Sequence, residues 1–317
     1  MPMLGRTAGG LFWMFRYLER SENTARLLDT GFRIALTGSG SHQAESEWES
    51  IVTTAGVREL YLQKYDTFDQ AHVINFLLRD KDNPSSILSS IEAARSNARM
   101  VRTALSSEVW EATNETWMLL KQKLARQVSV KNLAEVLTSV RQQSSLVRGA
   151  LHGTMLRNEI FDFSRIGTFV ERADNTARIL DVKYYVLLPS AAFVGSSMDN
   201  AQWETILRSV SAFRSFRWLN EAETTPRAIA AFLLLDKRMP RSLAFCHSKI
   251  TGNLSYLAQN HVGSLPSLDI AQQIYGKLND REIDAIFDEG LHEFLEGSIR
   301  DTARLASQIQ EDFRFYG

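Results

Sequence analysis

The sequence is poor in the residues that most often support catalysis or cross-linking. Cys246 is the only cysteine among 317 residues, which excludes an intrachain disulfide and any zinc site built from several thiolates. The six histidines include one Glu-x-x-His pair, Glu289 and His292, and otherwise show no metal-ligand spacing. The sequence also has no glycine-rich phosphate loop and no serine nucleophile elbow. These absences predict a reduced protein without a cofactor or a bound metal.

Charge and hydropathy narrow the possible partners. The net charge of −1 provides no general attraction to nucleic acid or to acidic membrane surfaces. The apolar stretch 11–18 is interrupted by Arg16 and is followed at once by Glu19 and Arg20. It is too short for a membrane span and lacks the cleavage site of a signal peptide. We therefore expect a cytoplasmic protein that binds neither nucleic acid nor membranes.

The hydrophobic periodicity is helical throughout, and no run alternates apolar and polar residues long enough to indicate a strand. Six prolines and seventeen glycines leave little room for extended linkers. The fold class predicted from these patterns is all-α.

An internal repeat organises the chain. Residues 19–29 (ERSENTARLLD) return as residues 171–181 (ERADNTARILD), with eight of eleven positions identical. Further matches, such as Trp48 with Trp203 and Pro84 with Pro240, keep a spacing of 152 to 156 residues. The pattern predicts a tandem duplication of a bundle of about six helices, with halves at 1–157 and 158–317 that pack together.

The same patterns predict the helix boundaries. We expect Pro84 and Pro240 to open long helices, because proline has a suitable fixed φ and needs no amide partner at the first helical position. In the first half, helices are predicted at about 7–36, 48–55, 68–78, 84–105, 108–124 and 132–156. In the second half, they are predicted at about 158–188, 203–212, 227–235, 240–257, 270–278 and 283–315.

The repeated Glu-Arg motif places a polar strip on one face of a helix in each half. The strip and motif residues are Glu19, Arg20, Glu22, Asn23 and Arg26 in the first half, and Glu171, Arg172, Asp174, Asn175 and Arg178 in the second. One interpretation is a solvated helix with ion pairs, but such pairs contribute only about 0.3–0.5 kcal/mol each. We favour a strip that is partly buried and that faces loop backbone or the other copy.

A metal site is the alternative interpretation of these carboxylates. The pairs Glu19/Glu22 and Glu171/Asp174 could converge on two metal ions, as inward glutamates do in some helical bundles. Those bundles usually pair glutamate with a histidine three residues later, and neither repeat has one. We therefore predict no stoichiometric metal.

Three arginines occur only in the first half. Arg95, Arg99 and Arg102 have the spacing i, i+4 and i+7 on one helix face, where the second half has no charge. Guanidinium groups suit carboxylates and phosphates. The stripe either pairs with an acidic strip such as Glu19 and Glu22, or binds an anionic ligand or the acidic surface of a partner.

The motifs resemble those of a known family. The segments 4–8 (LGRTA), 17–26 (YLERSENTAR), 83–87 (NPSSI) and 94–102 (ARSNARMVR), with the second Glu-Arg motif, resemble the bacterial alpha-E domain family. The resemblance covers essentially the whole chain. Ser21 and Ser96 depart mildly from the family pattern, which often has alanine and glutamate there.

The resemblance implies a context for the protein but supplies no catalytic residues. Such proteins are typically encoded beside circularly permuted ATP-grasp ligases, transglutaminase-like proteins and, in some systems, a proteasome-like peptidase. The expected function is that of a non-catalytic helical partner in peptide ligation, modification or turnover. The alternative is an enzyme subunit that binds an anionic or metal-bound substrate through the Glu-Arg strips and the arginine stripe.

Overall fold

The computed structural model describes residues 3–35, 41–185, 197–220, 224–261 and 263–316. These ranges form fifteen α-helices and no β-strand, which confirms the all-α prediction. The first half contains α1 (Gly5–Ala35), α2 (Ser41–Thr54), α3 (Arg58–Leu62), α4 (Gln70–Arg79), α5 (Ile87–Met100), α6 (Ser107–Lys123) and α7 (Val130–Thr154). The second contains α8 (Glu159–Tyr185), α9 (Ser197–Ser209), α10 (Phe213–Leu219), α11 (Pro226–Leu235), α12 (Leu243–Ala258), α13 (Pro266–Asn279), α14 (Ile283–Glu289) and α15 (Leu291–Asp312).

None of the helices in these ranges is both long enough and apolar enough to cross a membrane. The predicted ends of the first helix of each half, near residues 36 and 188, lie outside the described residues. The loop 155–158 between α7 and α8 contains the predicted boundary between the halves. The division of the chain into two repeats at this boundary stays a prediction.

The long helices α5 and α12 begin later than predicted. Pro84 and Pro240 do not occupy the first helical position, so that prediction is wrong. Ser86 caps α5 by accepting a hydrogen bond from the amide of Ser89, and Ser242 caps α12 in the same way. The serine hydroxyl satisfies an amide that the helix leaves free, and this side-chain cap sets the boundary.

Other differences concern short elements. The helices α3 and α10 have only five and seven residues, too few for a periodic pattern to reveal them. The predicted helix 283–315 is interrupted at Gly290, whose φ of 104° belongs to the left-handed region that glycine tolerates. The helix α5 ends at Met100, and a 3-10 turn covers residues 102–104.

The Glu-Arg helices α1 and α8 are the centre of the packing. Each contacts the other, and α1 also contacts α5 and α7 while α8 contacts α12 and α15. A single apolar core runs through both halves. The rings of Phe12 on α1 and Phe163 on α8 both contact Phe315, which follows α15. The predicted packing of the two halves against each other is therefore confirmed.

A sharp turn follows α2 and α9. Gly56 has φ 71° in the first turn, and Ser211 has φ 57° in the second. The two residues are separated by the spacing of the repeat. A non-glycine residue is uncommon in this conformation, so Ser211 carries a backbone cost that Gly56 avoids.

The close approach of α1 and α8 depends on Gly167. A Cβ atom at this position would lie 2.2 Å from the carbonyl oxygen of Phe12 on α1. Gly167→Ala should therefore force the two helices apart and lower the free energy of unfolding by about 1–3 kcal/mol or more. Urea denaturation measures this loss.

Gly276→Ala on α13 is the matched control. A Cβ atom at Gly276 would meet no atom within 4 Å, so the higher helix propensity of alanine should stabilise the protein by up to about 1 kcal/mol. Equal effects of the two substitutions would contradict the proposed role of Gly167.

Candidate functional site

The Glu-Arg motifs of α1 and α8 bind each other reciprocally. Arg20 on α1 donates two hydrogen bonds to Glu171 on α8, at Nε–Oε1 2.6 Å and Nη2–Oε2 3.0 Å. Arg172 on α8 donates two to Glu19 on α1, both at 2.8 Å. Each bidentate pair fixes both position and orientation, because the guanidinium fork matches the carboxylate. The Glu-Arg dipeptide of each helix thus supplies one carboxylate and one guanidinium group to the interface.

Glu19 is the most completely enclosed of these carboxylates. Its residue is 1% exposed, and Arg172 is 8% exposed. A second guanidinium, that of Arg241, lies 3.0 Å from Glu19 Oε1. Arg241 precedes the serine cap of α12 and is itself buried. The first strip was predicted to be partly buried against loop backbone or the other copy, and Glu19 is buried against the Glu-Arg motif of α8.

Glu22 lies one turn further along α1 and is fully buried. Its Oε1 accepts hydrogen bonds from Arg26 at 3.0 and 2.7 Å and from Arg241 Nη2 at 3.0 Å. Its Oε2 accepts from Arg148 on α7. Within the described ranges, the corresponding carboxylate of the second half, Asp174, forms an ion pair with Arg178 of its own helix, at 2.8 Å, and with no other residue. The two strips have therefore diverged in their surroundings.

Three of the remaining strip residues, Asn23, Arg26 and Arg178, lie against nearby loops. Asn23 Oδ1 accepts from Arg241 at 2.9 Å. Arg26 donates to the hydroxyl of Ser211 in the turn after α9. The guanidinium of Arg178 lies beside Gly56, in the equivalent turn after α2. Asn175 has a buried side-chain nitrogen with no partner among the described residues. These contacts attach the first turns after α2 and α9 to the central helices.

The buried charges shift one another's pKa values. Burial alone would raise the pKa of Glu19, but Arg172 and Arg241 hold it well below its ordinary value. Burial likewise acts to raise the pKa of Glu171, but the neighbouring Arg20 outweighs burial, so the pKa of Glu171 is also lowered. Burial lowers the pKa of Arg241 to about 10, because Glu19 only partly offsets the desolvation. All these groups are charged at neutral pH.

The network contains more cations than anions. In the described part of the chain, three carboxylates and six guanidinium groups form two sets of ion pairs around α1 and α8, one centred on Glu171 and the other on Glu19 and Glu22, with a combined excess of three positive charges. The carboxylates are Glu19, Glu22 and Glu171, and the guanidinium groups belong to Arg16, Arg20, Arg26, Arg148, Arg172 and Arg241. We call this set the Glu-Arg network. The whole chain has a net charge of −1, so the positive excess is local.

Three members of the network were not predicted as site residues. Arg16 lies 2.9 Å from Glu171, one turn before Arg20. Arg148 and Arg241 are distant in sequence from the carboxylates that they bind. A signal existed for Arg241, because the repeat places an uncharged residue, Ser85, at the equivalent position. Arg148 has no comparable sequence signal.

The arginine stripe does not bind the acidic strip. Arg95 stacks on Trp117, with Cζ 4.0 Å from the ring centroid, and donates to Asn114 at 2.7 Å. Arg102 lies on the 3-10 turn, 5.3 Å from the ring of Trp110. Arg99 is exposed and has no ion pair or hydrogen bond to the described residues. Pairing of the stripe with Glu19 and Glu22 is therefore wrong, since other arginines surround those carboxylates.

The geometry also disfavours the metal alternative. The oxygens of Glu19, Glu22 and Glu171 face guanidinium groups, and two cations cannot share these positions without displacing them. Glu289 binds Arg281 at 2.6 Å, and His292 binds Asp181 at 2.5 Å. Among the described residues, no group of three or more His, Cys, Asp or Glu side chains is arranged to hold a metal ion.

Two central helices joined by a buried, reciprocal Glu-Arg exchange define a class of all-helical protein. The family model named Alpha-E, described as a predicted alpha-helical domain with a conserved ER motif, matches residues 3–313. The chain belongs to this family, as the sequence resemblance indicated.

Three mycobacterial proteins are each 25% identical to the chain over 333 aligned positions. They are the uncharacterized proteins Mb2597 of Mycobacterium bovis and MT2643 and Rv2567 of Mycobacterium tuberculosis. Each match covers 96% of this chain and 37% of the relative, so the chain spans little more than a third of these relatives. No solved structure matches the chain.

Breaking the reciprocal pairs should destabilise the fold. Glu19→Gln leaves the buried Arg172 without its carboxylate and leaves Arg241 with Glu22 as its remaining acidic partner among the described residues, which should cost about 3–5 kcal/mol. Glu171→Gln should cost less, because Arg16 and Arg20 are 14% and 25% exposed. Urea denaturation tests this order of the two losses in unfolding free energy.

Glu135→Gln is the control. The side chain of Glu135 is 73% exposed, so its pair with Lys123 should contribute less than about 1 kcal/mol.

The network should also make stability depend on acid pH. The pKa values of Glu19, Glu22 and Glu171 are lowered in the folded protein, so the unfolded chain binds more protons near pH 4.5, the ordinary value. Their stabilisation is present above that pH and is lost as the pH falls below it. Glu19→Gln should reduce the pH slope of the unfolding free energy by up to about 1.4 kcal/mol per pH unit. An unchanged slope would contradict the assignment.

Proposed function

We propose that this protein is a non-catalytic helical partner, or scaffold, in a bacterial system for peptide ligation, modification or turnover, and that it associates with an ATP-grasp-type ligase. The observation that supports this proposal is that the Glu-Arg motifs are paired with each other. Their charged side chains are paired inside the protein, where they join α1 to α8. A substrate could reach the carboxylates Glu19 and Glu171 only by displacing the guanidinium groups that pair with them.

The other reactive side chains support the same view. Cys246 is fully buried, and burial raises the pKa of its thiol to about 12, so the nucleophilic thiolate is not formed at neutral pH. His247 is also fully buried, and burial lowers its pKa to about 4. Both residues lie on α12 within the core.

The mycobacterial relatives add a second line of support. A similar unit there occupies 37% of a longer chain, which suits a unit that works beside other domains. By the family resemblance, a transglutaminase-like protein is a further candidate partner. The arginine stripe offers a surface for the ligase, because Arg99 is exposed and unpaired among the described residues. An acidic surface on the ligase would complement it.

Reconstitution tests the proposal. The purified protein is mixed with the ATP-grasp-type protein encoded nearest to it, and peptide ligation and ATP hydrolysis are measured with each protein alone and with both. We expect no turnover by the helical protein alone and a changed rate or substrate range for the mixture. Turnover by the helical protein alone, or a ligase that neither binds nor responds to it, would overturn the proposal.

The stripe is tested within the same assay. Arg95→Gln with Arg99→Gln should weaken association by roughly tenfold, while the melting temperature changes little because only the cation–π contact with Trp117 and one hydrogen bond to Asn114 are lost. The control is Arg300→Gln with Arg304→Gln, which removes two exposed arginines with the same spacing from α15. If the first double variant fails to fold, the stripe is structural and the partner surface lies elsewhere.

A further inference from the structure

An open cleft lies where the start of α8 meets α12. Its volume is about 1040 Å³, within the range of small-molecule sites. The charged lining includes Arg157 from the loop before α8, Asp162 and Arg165 from α8, and Lys249 from α12. Arg165 also lines a second, smaller cleft of about 270 Å³ that ends on the Glu-Arg network.

Arg165 is half-buried and has no acceptor for its donors. No hydrogen bond or ion pair joins its guanidinium to the described residues. Its Cζ atom lies 5.4 Å from the ring centroid of Phe161 and 5.0 Å from that of Phe169. Such contacts cover the faces of the guanidinium plane and leave the N–H edges available. An unpaired cation in this position is costly unless an anion binds to it.

Further cations surround Arg165. Burial lowers the pKa of Arg165, and the neighbouring Arg157 and Arg172 lower it further. Partial burial also lowers the pKa of His152, on which Arg165 and Arg157 act in the same direction. Arg172 belongs to the Glu-Arg network with its excess of positive charge. The position of Arg165 is therefore a focus of positive potential.

Asp162 is the second unpartnered group of the cleft. Its residue is 9% exposed, and its carboxyl makes no hydrogen bond or ion pair with the described residues. Burial raises its pKa to about 6, although Arg165 acts against the shift. The other carboxylate of the cleft, Glu159, accepts a hydrogen bond from the amide of Met3 at 3.4 Å. When protonated, Asp162 can donate a hydrogen bond to an anion in the cleft.

We propose that this cleft binds a small ligand through an oxyanion group, a carboxylate or a phosphate, held by the free edge of Arg165 and attracted by Arg157 and Lys249. The central cation of the site has no counterpart in the first half, because the repeat places Trp13 at the position equivalent to Arg165. It is separate from the arginine stripe and does not depend on the proposed association with a ligase.

Thermal melting with added anions tests the site. The probes are inorganic phosphate for the phosphate source and glutarate for the carboxylate source, each compared with chloride at equal ionic strength. A ligand that binds only the folded protein raises the melting temperature as its concentration exceeds its Kd. We expect phosphate, glutarate or both to raise it more than chloride does, and the stronger probe identifies the source. No difference from chloride for either probe would overturn the proposal.

Arg165→Gln should abolish the response, weakening binding by roughly tenfold or more, the scale of a lost charge-assisted hydrogen bond. Arg208→Gln is the matched control, because Arg208 also stacks on a phenylalanine, Phe213, but lies on α9 outside the cleft. Without added anions, Arg165→Gln should melt at or above the wild-type temperature, because it removes an unpaired cation. A variant that melts lower and still responds to the anion would show that Arg165 is merely structural.

The pH dependence gives a further test, with sulfate as the probe because its charge stays constant over the range used. Binding should strengthen from about pH 8 to about pH 5, as Asp162 takes up a proton and stops repelling the anion. Asp162→Asn should bind more tightly at pH 8 and should lose most of this dependence. The other titratable groups nearby are Glu159 and Lys249 in the same cleft and His152 in the smaller cleft beside Arg165. An unchanged pH profile in Asp162→Asn would contradict the role of Asp162.

Discussion

The bidentate exchange between α1 and α8 is the contact on which the rest of the structure depends. Each helix supplies one glutamate and one arginine, and each pair crosses the interface. Apolar packing could hold two helices at many rotations and offsets, whereas paired forks permit one. The buried pairs therefore set the register between the halves. A register fixed here also places α5, α7, α12 and α15, which pack around the two central helices.

This arrangement has an electrostatic cost. Buried ion pairs are often no more stabilising than apolar side chains of the same size, because desolvation offsets the attraction. Burial lowers the pKa of Arg241, and the neighbouring guanidinium groups of Arg172 and Arg26 lower it further. The positive potential that results extends to Arg172 and Arg148, which line the smaller cleft beside Arg165. Structural charges at the centre thereby influence which molecules can bind at the surface.

The sequence was a good guide wherever local pattern decides the structure. Helical periodicity predicted the fold class, and the near-identity of the two Glu-Arg motifs predicted that the polar strips are partly buried, against loop backbone or against each other. It was a poor guide where a distant contact decides. Arg241 binds Glu22 across more than two hundred residues, and no local pattern reports such a contact. The helices α5 and α12 begin after the capping residues Ser86 and Ser242, although proline favours the first helical turn. Superposition of the halves stays the test of the duplication.

The turn after α9 shows how unequal the two halves have become. Gly56 adopts its left-handed conformation freely, but Ser211 adopts nearly the same one under steric strain. The hydroxyl of Ser211 accepts a hydrogen bond from Arg26, a contact that glycine could not make. The backbone conformation at position 211 thus favours glycine, whereas the hydrogen bond to Arg26 favours serine. Ser211 thus combines an unfavourable backbone conformation with a favourable contact between the two halves. A search for stabilising substitutions at left-handed positions would wrongly propose glycine at Ser211.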